Sequence, residues 1–111
     1  MIKCYTSDMK KLIFLHQECH HCYVLLSFID INDLGCKLGE NDTYLTFYDP
    51  GYGLHERIMK TSLDKLAEER DDPVLSSQNY ATPMMVELDS EGGVTNIWLG
   101  LNSIIKYLSE K

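Results

Sequence analysis

Leu12-Ile13-Phe14-Leu15-His16-Gln17-Glu18-Cys19-His20-His21-Cys22 is the stretch on which the fold of this chain turns. Its first four residues form an unbroken apolar run, the pattern of a strand buried on both faces in the middle of a sheet, and a strand is expected over residues 11–17. After Cys19 the period changes. Cys22, Leu25, Leu26 and Ile29 recur at i, i+3, i+4 and i+7, while Asp30 and Asp33 point elsewhere, so a helix is expected over about 20–34 with Gly35 as its stop. A C-x-x-C pair therefore stands where a buried strand gives way to a helix.

That placement carries chemistry. Two residues between the cysteines, wound into a first helical turn, bring the sulfurs close enough to form or break a disulfide with little backbone movement. Cys19 at the helix N-terminus meets unpaired backbone N–H groups and the positive end of the helix dipole, which stabilise a thiolate and lower its pKa below the free value of ~8.5. Cys19 is the expected nucleophile. Cys22, one turn in and on the apolar stripe, is the expected resolving thiol. His20 and His21 are expected tuning groups, because an imidazole near the Cys19 sulfur favours the thiolate and makes the couple more oxidising. Glu18 acts in the opposite sense where its carboxylate is close, less so where water screens it.

Outward from this centre, Tyr44 to Tyr48 is aromatic and β-branched and ends at Asp49-Pro50-Gly51, a strand closed by a turn. Leu54, Ile58, Met59, Leu63 and Leu66 keep helical spacing to about Glu69, and Asp71-Asp72-Pro73 ends that helix. Residues 73–81 read as loop or a short helical turn, and the first nine residues read ambiguously. Met84 to Leu88 and Val94 to Leu99 flank Asp89-Ser90-Glu91-Gly92-Gly93 and form an antiparallel hairpin. Leu101, Ile104, Ile105 and Leu108 stripe a final helix, with Lys106 and Lys111 near its C-terminus. The order β-α-β-α-β-β-α predicts an α/β fold, a mixed four-stranded sheet flanked by helices.

Composition narrows the function classes. The chain has 111 residues and a net charge of −7, from 10 Lys plus Arg against 17 Asp plus Glu, which fits one domain over 1–111. With no Lys/Arg run, nucleic acid and anionic membrane are not expected partners. The apolar run near the N-terminus, Leu12 to Leu15, is too short for a signal-peptide core or a membrane span, and a cytoplasmic protein is expected. Its four cysteines are too sparse for a disulfide scaffold, and in a reducing compartment a close pair is redox-active or metal-binding more often than structural. Cys19, His20, His21 and Cys22 are all metal-ligand types, but no second C-x-x-C or H-x-x-x-H completes a zinc site, so no metal is assigned. An inert pair is the third alternative. Cys4 and Cys36 read as passive thiols, His16 and His55 as polar surface or satisfied histidines, and Met84-Met85 and the tyrosines as core and surface filler. Gly51-Tyr52-Gly53 lacks the further glycine and strand-to-helix setting of a dinucleotide loop.

Three separated segments resemble the thioredoxin-like superfamily, of thioredoxin or glutaredoxin type, with C-H-H-C as the active-site motif. They are Leu12-Ile13-Phe14-Leu15 leading into Cys19-His20-His21-Cys22; Ala81-Thr82-Pro83 before the strand at Met84; and Gly100 opening Leu101-Asn102-Ser103-Ile104-Ile105. The resemblance covers roughly residues 11–36 and 80–110 and implies that Pro83 is cis and lies against the Cys pair, with the Thr82 backbone pairing with an extended substrate segment. The sequence departs from the family in three places. Glu18 stands where the family has Trp, His20-His21 where it has Gly-Pro, and Ile13 where thioredoxin has the buried acid that helps deprotonate the resolving Cys. All three bear on reductase efficiency. Residues 37–79 are longer than in compact members and are expected to carry an extra helix or a partner-specific surface.

The expectation is a small cytoplasmic thiol-disulfide oxidoreductase, a redox-active centre in electron transport. It needs no cofactor beyond the Cys19–Cys22 disulfide, since the chain has no room for its own flavin or nicotinamide site. Its partners are a protein disulfide substrate and an external reductase or oxidant, and the chain is expected to be a monomer. Given the charge, those partners are expected to be neutral or basic near the Cys19 face, with docking weakened by salt. The alternative is a thioredoxin-fold binding module with a non-catalytic or metal-holding Cys pair.

Overall fold

Lys10–Leu15 forms strand β1, and a helix-forming segment follows it as α1, His20–Ile31, in a computed structural model that describes residues 10–40 and 42–110. The remaining elements are α2 (Gly35–Glu40), β2 (Thr43–Phe47), α3 (Gly53–Arg70), α4 (Pro73–Ser77), β3 (Met84–Leu88), β4 (Val94–Leu99) and α5 (Leu101–Ser109). The sheet order is β2-β1-β3-β4. β1 is parallel to β2, with Ile13 opposite Leu45, and antiparallel to β3, with Ile13 opposite Met85. β3 and β4 form the hairpin, whose turn is held by the Asp89 carboxylate accepting from Glu91 and Gly93 and by Gly92 at φ +85°. The expected mixed four-stranded sheet flanked by helices is present, with α2 and α4 added to the expected order β-α-β-α-β-β-α.

Burial explains why β1 reads as a continuous apolar run. Ile13, Leu15 and Met85 face one layer, where Cys22, Leu25 and Ile29 of α1, Leu38 of α2 and Ile104 and Leu108 of α5 pack on them. Phe14, Met84, Val86 and Leu88 face the other, against Ile58, Met59 and Leu63 of α3 and against Tyr48. Adjacent strand residues point to opposite faces, so a central strand covered on both sides has no polar positions to offer. Each fully buried side chain of this kind contributes about 1.5–3 kcal/mol. Met84 and Met85 are fully buried, one facing each layer.

The ends of β1 and α1 differ from expectation, and each has a local cause. Strand β1 ends at Leu15, not residue 17, because His16 and Gln17 enter a turn closed by the Cys19 N–H on the His16 carbonyl at 3.2 Å. Helix α1 stops at Ile31, not near Gly35. Asp33 takes the left-handed conformation at φ +54°, and the Leu34 and Asp33 N–H groups reach back to Ile29 and Asp30, a helix-ending pattern usually built on glycine that Asp also tolerates. Gly35 instead opens α2, a helix the sequence pattern did not single out. At the end of α3 the same device recurs with Asp71 at φ +53°, after which the Asp72 carboxylate caps α4 by accepting from Val74 N–H at 3.1 Å. The backbone of Asp71 and the carboxylate of Asp72 thus end one helix and start the next. Residues 37–79 carry part of α2 and all of α4, the added helical material expected there. Cys4 and Lys111 lie outside the described residues, as does the side chain of Cys36.

Candidate functional site

The site lies where β1 and β2 end side by side, the carboxyl edge of the parallel pair, which is where α/β sheets commonly place ligands. Cys19 is the N-cap of α1, with φ −96° and ψ 111°, and its Sγ accepts the Cys22 N–H at 3.2 Å. A cap position usually taken by Ser, Thr, Asp or Asn is here filled by sulfur, so one of the unpaired amides of the first turn is spent on the thiol. Cys22 is 1% exposed and belongs to the core layer with Ile13 and Leu25. Its Sγ accepts the His16 N–H at 3.4 Å.

The second side of the site comes from 63 positions along the chain. The Cys19 thiol donates to the Thr82 carbonyl at 3.5 Å, and the Thr82–Pro83 peptide bond is cis, as the resemblance implies. The Gly100 N–H donates to the Pro83 carbonyl at 3.0 Å and ties this loop to the start of α5. Gly100 does so at φ +92°, a backbone region that favours glycine.

The two thiols are driven apart. Burial is the largest single influence on Cys19 and raises it. Hydrogen bonds from the Cys22 and Thr82 side chains and from the Cys22 and His21 backbone outweigh that influence, so its pKa is lowered. Burial pushes the Cys22 thiol up to about 11, with the neighbouring Cys19 sulfur adding to it and the His16 N–H and Thr82 only partly offsetting it. One sulfur is half-buried and disposed to ionise; the other is buried and disposed to keep its proton.

Among the residues singled out from the sequence, Cys19, Cys22, Thr82 and Pro83 come together. His20 and His21 are exposed on the first turn of α1, with ring centroids 6.0 Å apart, and His21 acts on Cys19 through its backbone. Glu18 is exposed, and its N–H donates to His16 Nδ1 at 3.1 Å. A cavity of about 300 Å³ opens beside these residues, lined by His16, Gln17, Glu18, Phe47 and Tyr48. Phe47 is about half exposed there. Among the described residues, no group of three or more His, Cys, Asp or Glu is placed to hold a metal ion, and no helix is long and apolar enough to cross a membrane.

The sequence reading missed His16 and the rings behind it. His16 stacks on Tyr80 at 4.8 Å and 14°, Tyr80 on Tyr48 at 5.8 Å and 22°, and Tyr48 on His55 at 6.2 Å and 20°. No spacing in the sequence relates positions 16, 48, 55 and 80, and only the His16 adjacency to the C-x-x-C hinted at a role.

Thr82 provides a direct check of the site. Replacing Thr82 with Val keeps the backbone carbonyl and removes the hydroxyl, whose hydrogen bonding lowers Cys19. Alkylation of Cys19 by iodoacetamide at pH 7 is expected to slow about fivefold, the equivalent of one ordinary hydrogen bond. A rate equal to or above that of the unsubstituted protein would count against this account of the thiol.

Comparison with solved structures agrees with the topology. The C-terminal domain of Neisseria meningitidis DsbD, in its reduced form, matches with a TM-score of 0.51 at 12% identity, over 97% of this chain and 84% of that one. A thioredoxin of Fasciola hepatica matches at 12% identity with a TM-score of 0.48, over 92% of this chain and 79% of that one. No family model matches the sequence, and no curated protein matches it. The fold is thioredoxin-like.

Proposed function

We propose that this chain is a thiol-disulfide oxidoreductase in which Cys19 is the nucleophile and Cys22 the resolving thiol. The observation that carries the reading is the asymmetry of the pair: a helix-capping sulfur with a lowered pKa beside the Thr82 carbonyl, and a buried sulfur held up to about 11. The Cys19 thiolate attacks one sulfur of a substrate disulfide, forming a mixed disulfide and releasing the other substrate sulfur, which takes up a proton. Cys22 then loses its proton and attacks Cys19 Sγ, releasing the second substrate thiol and leaving a Cys19–Cys22 disulfide. Two electrons and two protons pass to the substrate, and an external dithiol reductase restores the pair; run in reverse, an oxidant takes its place. The Thr82 backbone beside cis Pro83 offers an extended substrate segment a strand-like partner.

The reading takes in a protein disulfide as substrate, a cytoplasmic setting, a monomer and no cofactor beyond the cysteine pair. Substituting Cys22 by Ser tests it. This variant is expected to lose turnover of a disulfide peptide and to accumulate mixed disulfides with its partners, while Cys19→Ser accumulates none. Turnover that survives in either variant refutes the mechanism. Stoichiometric zinc in the purified protein, lost in Cys22→Ser, would assign the pair to metal binding instead.

A further inference from the structure

We infer that His16 is a positioning residue for the dithiol: as a neutral imidazole accepting at Nδ1 and stacked on Tyr80, it locks the cysteine loop against the Thr82–Pro83 loop and so sets the reactivity of Cys19. The inference rests on the reading of Cys19 and Cys22 as a reactive pair.

Three polar groups of His16 each hold a different part of that loop. Its N–H donates to Cys22 Sγ at 3.4 Å, its carbonyl accepts the Cys19 N–H at 3.2 Å, and its Nδ1 accepts the Glu18 N–H at 3.1 Å. Residues 16–19 are thus a four-residue turn closed by its own backbone, and the side chain of the first residue accepts from the third. Asn and Asp commonly make this contact, and here an imidazole makes it. A peptide N–H only donates, so Nδ1 carries the lone pair and the ring hydrogen is on Nε2.

The ring makes the fourth contact. It lies nearly parallel to Tyr80, two residues before Thr82. Tyr80 is backed by Tyr48, which is 8% exposed and meets Phe14 of β1 edge-on at 5.9 Å. The platform under His16 is therefore anchored in the core, and the stack joins the cysteine loop to the loop that carries Thr82, whose carbonyl meets the Cys19 thiol and whose side chain lowers its pKa. Among the side chains of residues 16–19, only His16 and Cys19 span that gap, by the ring stack on Tyr80 and the thiol contact with the Thr82 carbonyl.

Substitution at His16 separates the two contacts. His16→Asn keeps an acceptor for the Glu18 N–H and loses the stack; His16→Phe keeps a ring on Tyr80 and loses the acceptor; His16→Ala loses both. In the reduced full chain, iodoacetamide alkylation of Cys19 at pH 7 is expected to slow about tenfold in His16→Ala, with its pH midpoint moved upward. His16→Asn and His16→Phe are each expected to recover part of the rate. A His16→Ala rate within twofold of the unsubstituted protein overturns the inference. So does failure of both conservative variants to improve on Ala. Should His16→Ala not fold, nitrogen-15 shifts of the imidazole in the unsubstituted protein decide: the Nε2–H tautomer supports the inference, and the Nδ1–H tautomer overturns it. Turnover is scored separately. A protein with these alkylation shifts but no activity on any disulfide keeps the His16 assignment and loses the oxidoreductase reading. Normal turnover with unchanged alkylation in all three variants does the reverse.

Discussion

Between pH 7 and pH 9, resolution of a mixed disulfide on Cys19 is expected to accelerate about a hundredfold, because the attacking species is the Cys22 thiolate. Burial, the largest cause, holds the Cys22 thiol up to about 11. Below that value each unit of pH lowers the thiolate fraction tenfold, so the rate rises with pH across the whole neutral range. The Cys19 hydrogen bond and the smaller Cys19 charge that add to the shift are absent once Cys19 is in a mixed disulfide, which moves the plateau to lower pH, while burial, the largest cause, keeps the rate rising through the neutral range. Cys19 behaves in the opposite way. Its pKa is lowered, so the first attack levels off at lower pH than the second. Ile13, fully buried in the layer that holds Cys22, offers no carboxylate to take the proton. Release of thionitrobenzoate from a Cys19 adduct, followed from pH 6 to 10 in single turnover, reads this step. A flat profile would mean that another group deprotonates Cys22, and the account of the resolving thiol would be lost.

Replacing Phe14 with Ala is expected to destabilise the protein by about 3–5 kcal/mol, the usual cost of emptying a fully buried aromatic position. That is a large part of the 5–15 kcal/mol typical of a small domain. Phe14 is 0% exposed, packs with Met84 and Val86 against α3, and meets Tyr48 and the His55 ring edge-on, at 5.9 and 5.1 Å. Phe14→Leu keeps most of the volume and is expected to cost clearly less. Urea unfolding at constant slope measures both. A loss below about 1 kcal/mol for Phe14→Ala would contradict the packing of this face.

The cysteine pair was legible because its signal is local. A double-sided strand, a change of period and two cysteines at the junction all lie within residues 12–29, and the helix cap formed by Cys19 follows from them. The hairpin was equally plain, since its turn residues and alternating strands sit side by side in sequence. The ends of α1 and α3 were harder. Asp33 and Asp71 occupy left-handed positions that glycine signals more clearly, so Gly35 was read as a stop when it is a start. The roles expected of His20 and His21 concerned their rings, whereas what this pair adds to the lowering of Cys19 is a hydrogen bond from the His21 backbone, smaller than those from Cys22 and Thr82.

The sequence by itself determined the class of fold, the order of the four strands with α1, α3 and α5, and the identity of the two thiols, because periodicity, turn chemistry and close spacing act between residues near one another in the chain. The tertiary structure alone decided how different those thiols are. The contact of Cys19 with Thr82 spans 63 positions, the burial of Cys22 depends on three helices meeting one sheet face, and the stack under His16 joins residues 16, 80, 48 and 55. A thiol's proton affinity is set by the donors and the solvent within a few ångströms of it, and which groups arrive there is settled only when the layers pack.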